Sequence, residues 1–259
     1  MTLHTLWGMI HVPTLLGSGV AHQSMDEIKE FCLTDAKILY ENNINHFFIE
    51  NFGDAPFPKN IVEPHVIAAL TLIIEQIKLH FPSVQIGVNC LRNDALAALA
   101  IASVTNAQAI RVNVLTHARL TDQGIIEGCA YDLNKYKNQL QSTAEVWADV
   151  DVKHSYSLAN IPTADAIHDM LSRGGASKII FTGSRTGAEA NLVTLKELVE
   201  TNILTPEKIV IGSGISENNI QSFMPYAKNF IVGSSLKQNN DLSNHIDPDK
   251  VSRLVAKLQ

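Results

Sequence analysis

The sequence predicts an α/β protein whose architecture is a (β/α)8 TIM barrel. Short runs rich in β-branched residues alternate with longer segments of helical spacing, and the alternation repeats about eight times. Strands that are each followed by a helix run parallel to one another. Eight such units in about 250 residues match the length of a (β/α)8 barrel. A doubly wound open sheet is the alternative architecture.

The predicted strands are short segments rich in the β-branched and aromatic residues that favour extended backbone. Most of them end in a glycine or a polar residue, which marks the turn into the next helix. They cover residues 6–12, 46–51, 85–91, 109–114, 145–154, 178–184, 208–214 and 229–235.

The predicted helices lie between these strands and show the periodicity of a buried helix face. In the second of them, Val66, Leu70, Ile73 and Ile77 recur at intervals of three and four residues. The eight helical segments cover residues 24–43, 64–81, 94–105, 128–141, 163–173, 192–201, 217–226 and 248–258.

Helix boundaries carry their own signals. Asp247 precedes Pro248, which places a capping side chain before a proline at the first helical position. Ser216 is predicted to cap a helix that starts at Glu217, and Gly174 stops the fifth helix. Because no Pro-, Gly- or Ser-rich linker interrupts the pattern, residues 1–259 are predicted to form one TIM-barrel domain.

The composition excludes several classes of function. The chain has 259 residues, of which 46% are hydrophobic, and its 20 basic and 26 acidic residues give a net charge of −6. A nucleic-acid partner is not expected, because such binding needs a clustered positive surface. The most apolar segment, residues 66–77, is much shorter than the roughly 20 residues that span a bilayer. No integral membrane segment is therefore predicted.

The N-terminus and the cysteines predict a cytoplasmic protein. The first residues, MTLHTLWGMIHV, lack the basic region, apolar run and cleavage site of a signal peptide. Cys32, Cys90 and Cys129 are an odd number without paired spacing, which favours reduced thiols. The sequence leaves the oligomeric state open, a homo-oligomer included.

The predicted fourth and fifth strands place charged residues on the face that points into the barrel. Arg111 and Asn113 share one face of the fourth strand, while Asp149, Asp151 and Lys153 share one face of the fifth. Buried charges are normally paired, so we expect Arg111 beside Asp149 or Asp151, and Lys153 beside Asp151. A purely structural ion-pair network is the alternative interpretation.

Lys153 is a candidate for acid–base chemistry or for contact with an anion. A buried lysine with a lowered pKa can also form a Schiff base with a carbonyl substrate. The carboxylate expected beside it opposes that lowering, so the sequence does not favour covalent catalysis.

Two small-residue turns follow the last two strands and predict a phosphate site. They contain Gly212, Ser213 and Gly214, and then Gly233, Ser234 and Ser235. Small residues let backbone N–H groups approach a phosphate, and barrels often bind phosphate at these two loops. Ser184, after the sixth strand, is a further candidate contact. Tight turns without a ligand are the alternative.

A metal site is weakly supported by the sequence. His11, Glu50, Asp151 and His154 lie near predicted strand ends and could converge, but no close pair of histidines with ligand spacing is present. No metal ligands are therefore assigned and no cofactor is required, although the sequence leaves a divalent metal open.

Several motifs together resemble the BtpA/SgcQ family over nearly the whole chain. They read GMIH at residues 8–11, ENFGDAPF at 50–57, GVNCLRND at 87–94, RVNV at 111–114, TDQG at 121–124, VKH at 152–154 and VGSSLK at 232–237. The sequence departs from the family at Arg185, where a small residue is more usual.

The resemblance implies a TIM barrel related to the ribulose-phosphate-binding barrels. The family takes its name from a cyanobacterial protein linked to photosystem I biogenesis, and some members are encoded beside sugar-catabolism genes. The resemblance thus implies a fold and a site more firmly than a reaction.

Two hypotheses about function follow. The first is an enzyme that acts on a phosphorylated small molecule, either a sugar phosphate or a nucleotide-like compound, with isomerase, aldolase or lyase chemistry. Lys153, Asp151 and Asp122 would handle protons. The residues expected to bind or orient the substrate are His11, Glu50, Asn51, Asn89, Arg92, Arg111, Asn113 and His154. The alternative is a non-catalytic assembly factor for photosystem I or another membrane complex, which predicts an exposed apolar patch.

Overall fold

The computed structural model describes residues 4–17, 23–183 and 190–258. Its strands are β1 (Thr5–His11), β2 (His46–Glu50), β3 (Gln85–Asn89), β4 (Ala109–Val112), β5 (Ala118–Thr121), β6 (Gly124–Glu127), β7 (Glu145–Asp149), β8 (Ser155–Ser157), β9 (Lys178–Phe181), β10 (Ile209–Ile211) and β11 (Asn229–Val232). Its α-helices are α1 (Met25–Glu41), α2 (Pro64–His80), α3 (Ala95–Thr105), α4 (Ala130–Leu140), α5 (Thr163–Ser172), α6 (Leu192–Glu200), α7 (Ile220–Phe223) and α8 (Pro248–Ala256).

Eight of the strands close into a parallel barrel, which confirms the predicted fold class. Their order around the barrel is β1, β11, β10, β9, β7, β4, β3 and β2. The outward faces pack against the helices in one large apolar core, to which Ile110 of β4 and Ala148 of β7 contribute. Because the eight strands are parallel, their carboxyl ends meet at one rim of the barrel.

The inside of the barrel is filled with side chains rather than open. Trp7, Phe48 and Trp147 pack against one another there, with ring centroids 4.9 to 5.3 Å apart. They belong to a buried cluster that is separate from the outer core. This aromatic layer closes the barrel below the rim. The polar residues at the strand ends therefore lie directly above packed side chains.

A small antiparallel sheet, absent from the sequence prediction, lies beside the rim. It has the order β6, β5 and β8, and Thr121 pairs with Gly124 across a two-residue turn. Its strands are only three or four residues long, which is too short to give a clear two-residue alternation in the sequence. The sheet covers a small apolar cluster of Val114, Ile126 and Val152.

All eight predicted barrel strands end later than the observed ones, and for two of them the difference affects the candidate site. β4 ends at Val112 rather than at residue 114, and β7 ends at Asp149 rather than at residue 154. The alternation of side chains therefore holds for Arg111 and Asp149, but it does not reach Asp151 or Lys153. Val152, expected to face the helices, instead packs beneath the small sheet.

The helix signals have mixed outcomes. The Asp247 side chain accepts hydrogen bonds from the N–H groups of Asp249 and Lys250, so the predicted cap of α8 is confirmed. The predicted cap at Ser216 is wrong, because α7 is a single turn that starts after Asn219. Within the described ranges, none of the helices combines the length and apolar composition that a bilayer span requires.

Candidate functional site

A cavity of about 450 Å³ opens at the rim where the strands end. It is the size of a small-molecule site. It gathers most of the residues predicted from the sequence, and those that line it are His11, Glu50, Arg92, Arg111, Asn113, Asp122, Lys153, His154, Gly212, Ser213, Gly214, Gly233 and Ser234.

Four of the predicted site residues do not line this cavity, and a fifth lies outside the part of the chain that the structure describes. Asn51, Asn89, Asp151 and Ser235 do not line the cavity. Ser184 lies outside the described residues. The two asparagines are nevertheless buried at its edge, where they hold other groups in place.

Asn51 and Asn89 support the cavity wall from behind. The Asn51 Oδ1 atom accepts a hydrogen bond from the Leu91 N–H at 2.8 Å, and its Nδ2 donates to Asp54 at 3.2 Å. The Asn89 Nδ2 atom donates to the Glu50 carboxylate at 2.5 Å. These bonds fix the loops after β2 and β3 and orient Glu50 toward the cavity.

Arg111 and Asp149 form the buried ion pair predicted for the barrel interior. The Nε and Nη2 atoms of Arg111 donate to the two carboxylate oxygens of Asp149 at 2.9 and 2.8 Å. Burial is the largest single influence and would lower the pKa of Arg111, but the charge and hydrogen bond of Asp149 together with the charge of Glu50 outweigh it and raise that pKa. Asn113 donates to the same carboxylate at 3.3 Å, and its Oδ1 has no partner within the described ranges. Asn113 thus offers a hydrogen-bond acceptor to a ligand.

The predicted pairing of Lys153 with Asp151 is wrong. The chain leaves the barrel after β7, and the Asp151 side chain, 65% exposed, pairs with Arg119 of the small sheet at 2.7 Å. Arg119 was not anticipated, because the sheet that presents it was not predicted. Lys153 lines the cavity without a carboxylate partner within 4 Å among the described residues, and its carbonyl accepts a hydrogen bond from Arg92.

The electrostatic setting of Lys153 is unusual for a lysine. Burial, with the charges of Arg111 and Arg92, lowers its pKa from 10.5 to about 8, although Glu50 and Asp149 oppose the change. Burial likewise lowers the pKa of Arg92. A substantial fraction of Lys153 is therefore neutral near pH 8, as amine chemistry requires.

His11 is a neutral imidazole in this structure. Burial and the charges of Lys237 and Lys153 lower its pKa to about 3. Its ring packs edge-on against Phe52 at 5.1 Å, and its Nδ1 has no partner in the described part of the chain. The ring lies against Gly233, where an added Cβ would meet Cε1 at 2.7 Å. The glycine therefore lets the turn after β11 approach the His11 ring this closely.

The two predicted phosphate turns form one continuous wall of the cavity. The Ser235 hydroxyl donates to the Ile215 carbonyl at 2.6 Å, which joins the turn after β10 to the turn after β11. Gly214 has a φ of 74°, a conformation that glycine adopts without strain. Over the described ranges, the N–H groups of Gly214 and Ser234 have no backbone acceptor. They are the type of donor that holds a phosphate.

The apolar part of the cavity was not identified as part of the site from the sequence. Met9, Phe52, Phe57, Leu91 and Ile231 line the cavity together with the polar groups. The two phenylalanines lie in the ENFGDAPF motif, so the motif itself was the available signal. Apolar walls limit water and strengthen the electrostatic interactions inside the cavity.

A second buried ion pair, also missed from the sequence, anchors the last turn. The Lys237 Nζ donates to Asp35 of α1 at 2.6 Å, and both side chains are fully buried. Asp35 also accepts hydrogen bonds from the Ile246 N–H at 3.0 Å and from His245 at 2.9 Å. This pair fixes the segment that follows Ser234 and Ser235 against α1.

The described residues do not assemble the ligand set considered from the sequence. His11, Glu50 and His154 line the cavity, but Asp151 does not. Within the described ranges, no group of three or more His, Cys, Asp or Glu side chains has an arrangement that could hold a metal ion.

Comparison with known proteins identifies the family. The model of the BtpA family matches residues 2–259. The chain belongs to the BtpA family. Among its BtpA relatives is an uncharacterized protein of Methanocaldococcus jannaschii, 40% identical over 96% of this chain and 93% of its own. The photosystem I biogenesis protein BtpA of Synechocystis is 39% identical over 96% of this chain and 85% of its own.

Solved structures similar to this BtpA-family chain share its fold. KGPDC of Streptococcus mutans has a TM-score of 0.57 and 14% identity, covering 99% of this chain and 97% of its own. Phosphoribosyl anthranilate isomerase of Thermus thermophilus has a TM-score of 0.56 and 12% identity, with 98% of each chain covered. At these identities the similarity concerns the barrel alone.

Proposed function

We propose that this protein is an enzyme that acts on a phosphorylated small molecule bound in the rim cavity. The observation that carries the proposal is the composition of one cavity: two turns with available N–H groups face it, and so does a lysine without a carboxylate partner. The phosphate would be held by Gly214 and Ser234, and Lys153 would act on the rest of the substrate.

The remaining polar groups suit the orientation of a sugar-like substrate. Asn113 presents an acceptor, and the Glu50 carboxylate is held by Asn89, so both can bind hydroxyl groups. Arg92 and Arg111 add positive charge where an intermediate with an oxyanion would form. Enolate or alkoxide intermediates of this kind occur in many isomerase, aldolase and lyase reactions. Asp122, on the turn of the small sheet, is the proposed acid–base partner of Lys153.

The structural neighbours are consistent with this class of substrate. Their names include an isomerase of phosphoribosyl anthranilate and a 3-hexulose-6-phosphate synthase. Only the class of substrate, a phosphorylated compound, is inferred from these neighbours. The site is inferred from this chain's own residues.

A thermal-shift screen with phosphorylated sugars and nucleotides tests the proposal. We expect ribose 5-phosphate or a related compound to raise the Tm of the wild type, and unphosphorylated ribose to leave it unchanged. Ser234→Asp should abolish the shift, because a carboxylate beside the turn repels phosphate. Ser222→Asp, at an exposed position of α7 outside the cavity, is the matched control and should keep it. A screen without any hit would contradict the proposal.

A second candidate function is a non-catalytic role in the assembly of a membrane complex, since the name of the Synechocystis relative states photosystem I biogenesis for that protein. One observation favours it here. Leu120, Ile125 and Tyr156 stand in register on the small sheet and are 44%, 45% and 77% exposed, which forms an apolar row at the surface. Complementation of a strain without its own copy separates the two functions. A non-catalytic factor would work equally well with Lys153→Met, whereas an enzyme would not.

A further inference from the structure

The amine of Lys153 is the least constrained charged group in the cavity. Within the described ranges its Nζ takes part in no ion pair and no hydrogen bond, while its side chain is half-buried and lines the cavity. Its backbone, by contrast, is tied down, because Arg92 donates to its carbonyl. A fixed backbone and an unpaired amine are the arrangement expected of a group that meets a ligand.

The two aspartates expected near Lys153 are paired with arginine side chains instead. Asp149 accepts two hydrogen bonds from Arg111, and Asp151 pairs with Arg119. Covalent chemistry was disfavoured from the sequence because Asp151 was expected beside the lysine, and in the structure that carboxylate points away. Glu50, bound to Asn89, remains in the same cavity as a carboxylate that can exchange protons with a ligand.

We propose that Lys153 is a nucleophile that forms a Schiff base with the carbonyl group of a phosphorylated aldose or ketose. This inference rests on the proposed function and narrows it to substrates that carry a free aldehyde or ketone. The turns at Gly214 and Ser234 would hold the phosphate end of the substrate, and the carbonyl end would face Lys153.

The step balances without any further reactant. The neutral amine nitrogen attacks the carbonyl carbon, a C–N bond forms, and an amine proton moves to the oxygen to give a carbinolamine. A second proton, from an acid such as protonated Glu50 or Asp122, lets the oxygen leave as water. The product is an iminium ion, which withdraws electrons from the adjacent carbon. That carbon can then lose a proton or break a C–C bond, and water later hydrolyses the iminium.

The reactivity of Lys153 should exceed that of surface lysines. With a pKa of about 8 against 10.5 for an unperturbed lysine, its neutral amine is about 300-fold more abundant near neutral pH. Lys135 on α4, which is exposed and outside the cavity, provides the reference.

Reductive trapping tests the inference. The wild-type protein is incubated with ribose 5-phosphate, ribulose 5-phosphate or dihydroxyacetone phosphate and with sodium cyanoborohydride, and adducts are located by peptide mass spectrometry. We expect one main adduct, on Lys153, with the mass of the sugar phosphate less one oxygen atom. Lys153→Arg and Lys153→Met should lose it, Lys135→Arg should keep it, and excess inorganic phosphate should suppress it.

The outcomes separate this inference from the proposed function. Thermal shifts with the same compounds are measured in parallel. Stabilisation by sugar phosphates without an adduct on Lys153 overturns the Schiff base and leaves the binding site standing. Adducts spread over Lys135 and other exposed lysines, and unchanged in Lys153→Arg, overturn it as well. If no compound stabilises the protein and none forms an adduct, both proposals are wrong.

Discussion

Replacing Lys153 by methionine should stabilise the protein. Burial of the charged amine in the folded state costs free energy, which appears as the lowering of its pKa from 10.5 to about 8. At about 1.4 kcal/mol for each pH unit, this cost amounts to roughly 3 kcal/mol at pH 7. Methionine has a similar length and no charge, so Lys153→Met removes the cost and keeps most of the packing.

The stabilisation by Lys153→Met should depend on pH. Between pH 8 and pH 10.5 the unfolded chain binds a proton at Lys153 that the folded protein has lost, so the wild type gains stability as the pH rises through this window. The advantage of Lys153→Met should therefore fall from about 3 kcal/mol at pH 7 to about 1 kcal/mol at pH 9.5. Burial contributes most to this pKa, and the charged groups that act on it are Arg111, Glu50, Asp149 and Arg92.

Urea unfolding of both proteins at pH 7 and pH 9.5 measures the difference. Lys135→Met, at an exposed position, is the control and should change the free energy of unfolding by less than about 0.5 kcal/mol at either pH. If Lys153→Met is no more stable than the wild type at pH 7, or if its advantage is the same at both pH values, the amine is not desolvated as described.

Three further outcomes are expected. Asp149→Leu leaves Arg111 buried without its partner and should lower the free energy of unfolding by about 3–5 kcal/mol, and an unchanged urea midpoint would contradict this. Gly53→Ala should lower the Tm, because the new Cβ would lie 2.3 Å from the backbone N of Thr14, which cannot move aside without shifting the main chain; a wild-type Tm would show that this contact relaxes. The His11 ring should stay neutral down to about pH 4 in histidine-resolved NMR, since its pKa is about 3, and titration near pH 6.5 would disprove its burial.

The barrel could be predicted because its signals are local and repeated. Each strand of β-branched residues and each helix of apolar periodicity reports its own conformation, and their alternation then leaves few topologies. The inward direction of Arg111 followed from the same logic, because β4 continues through it with Ile110 and Val112 on the opposite face. Its partner could be narrowed to Asp149 or Asp151 because the strands that carry them are neighbours, and the structure pairs Arg111 with Asp149.

The prediction failed where a strand ended sooner than its pattern suggested. The alternation of acidic and apolar residues continues through Asp151 and Lys153, yet β7 stops at Asp149. A period of two residues does not show where the backbone leaves a ladder, since that depends on partners distant in sequence. The small sheet supplied such a partner, because Arg119 of β5 binds both Asp151 and Ser155.

The sequence also did not distinguish residues that contact a ligand from residues that hold a neighbouring side chain or loop in place. Asn51 and Asn89 were predicted to contact substrate, but they hold Leu91 and Glu50. An amide side chain at a strand end has the same sequence signature in either role. Lys237 and Asp35 are separated by 202 residues, so their buried pairing had no local signal beyond the VGSSLK motif.

The central claim is that the turns at Gly214 and Ser234 bind the phosphate of a small molecule whose other end reaches Lys153. The most direct measurement is an amide NMR titration of the wild-type protein with ribose 5-phosphate and, separately, with ribose. We predict that the Gly214 and Ser234 amide resonances shift saturably with the phosphorylated sugar and not with ribose. Shifts confined to other parts of the protein, or equal shifts with both sugars, would contradict the claim.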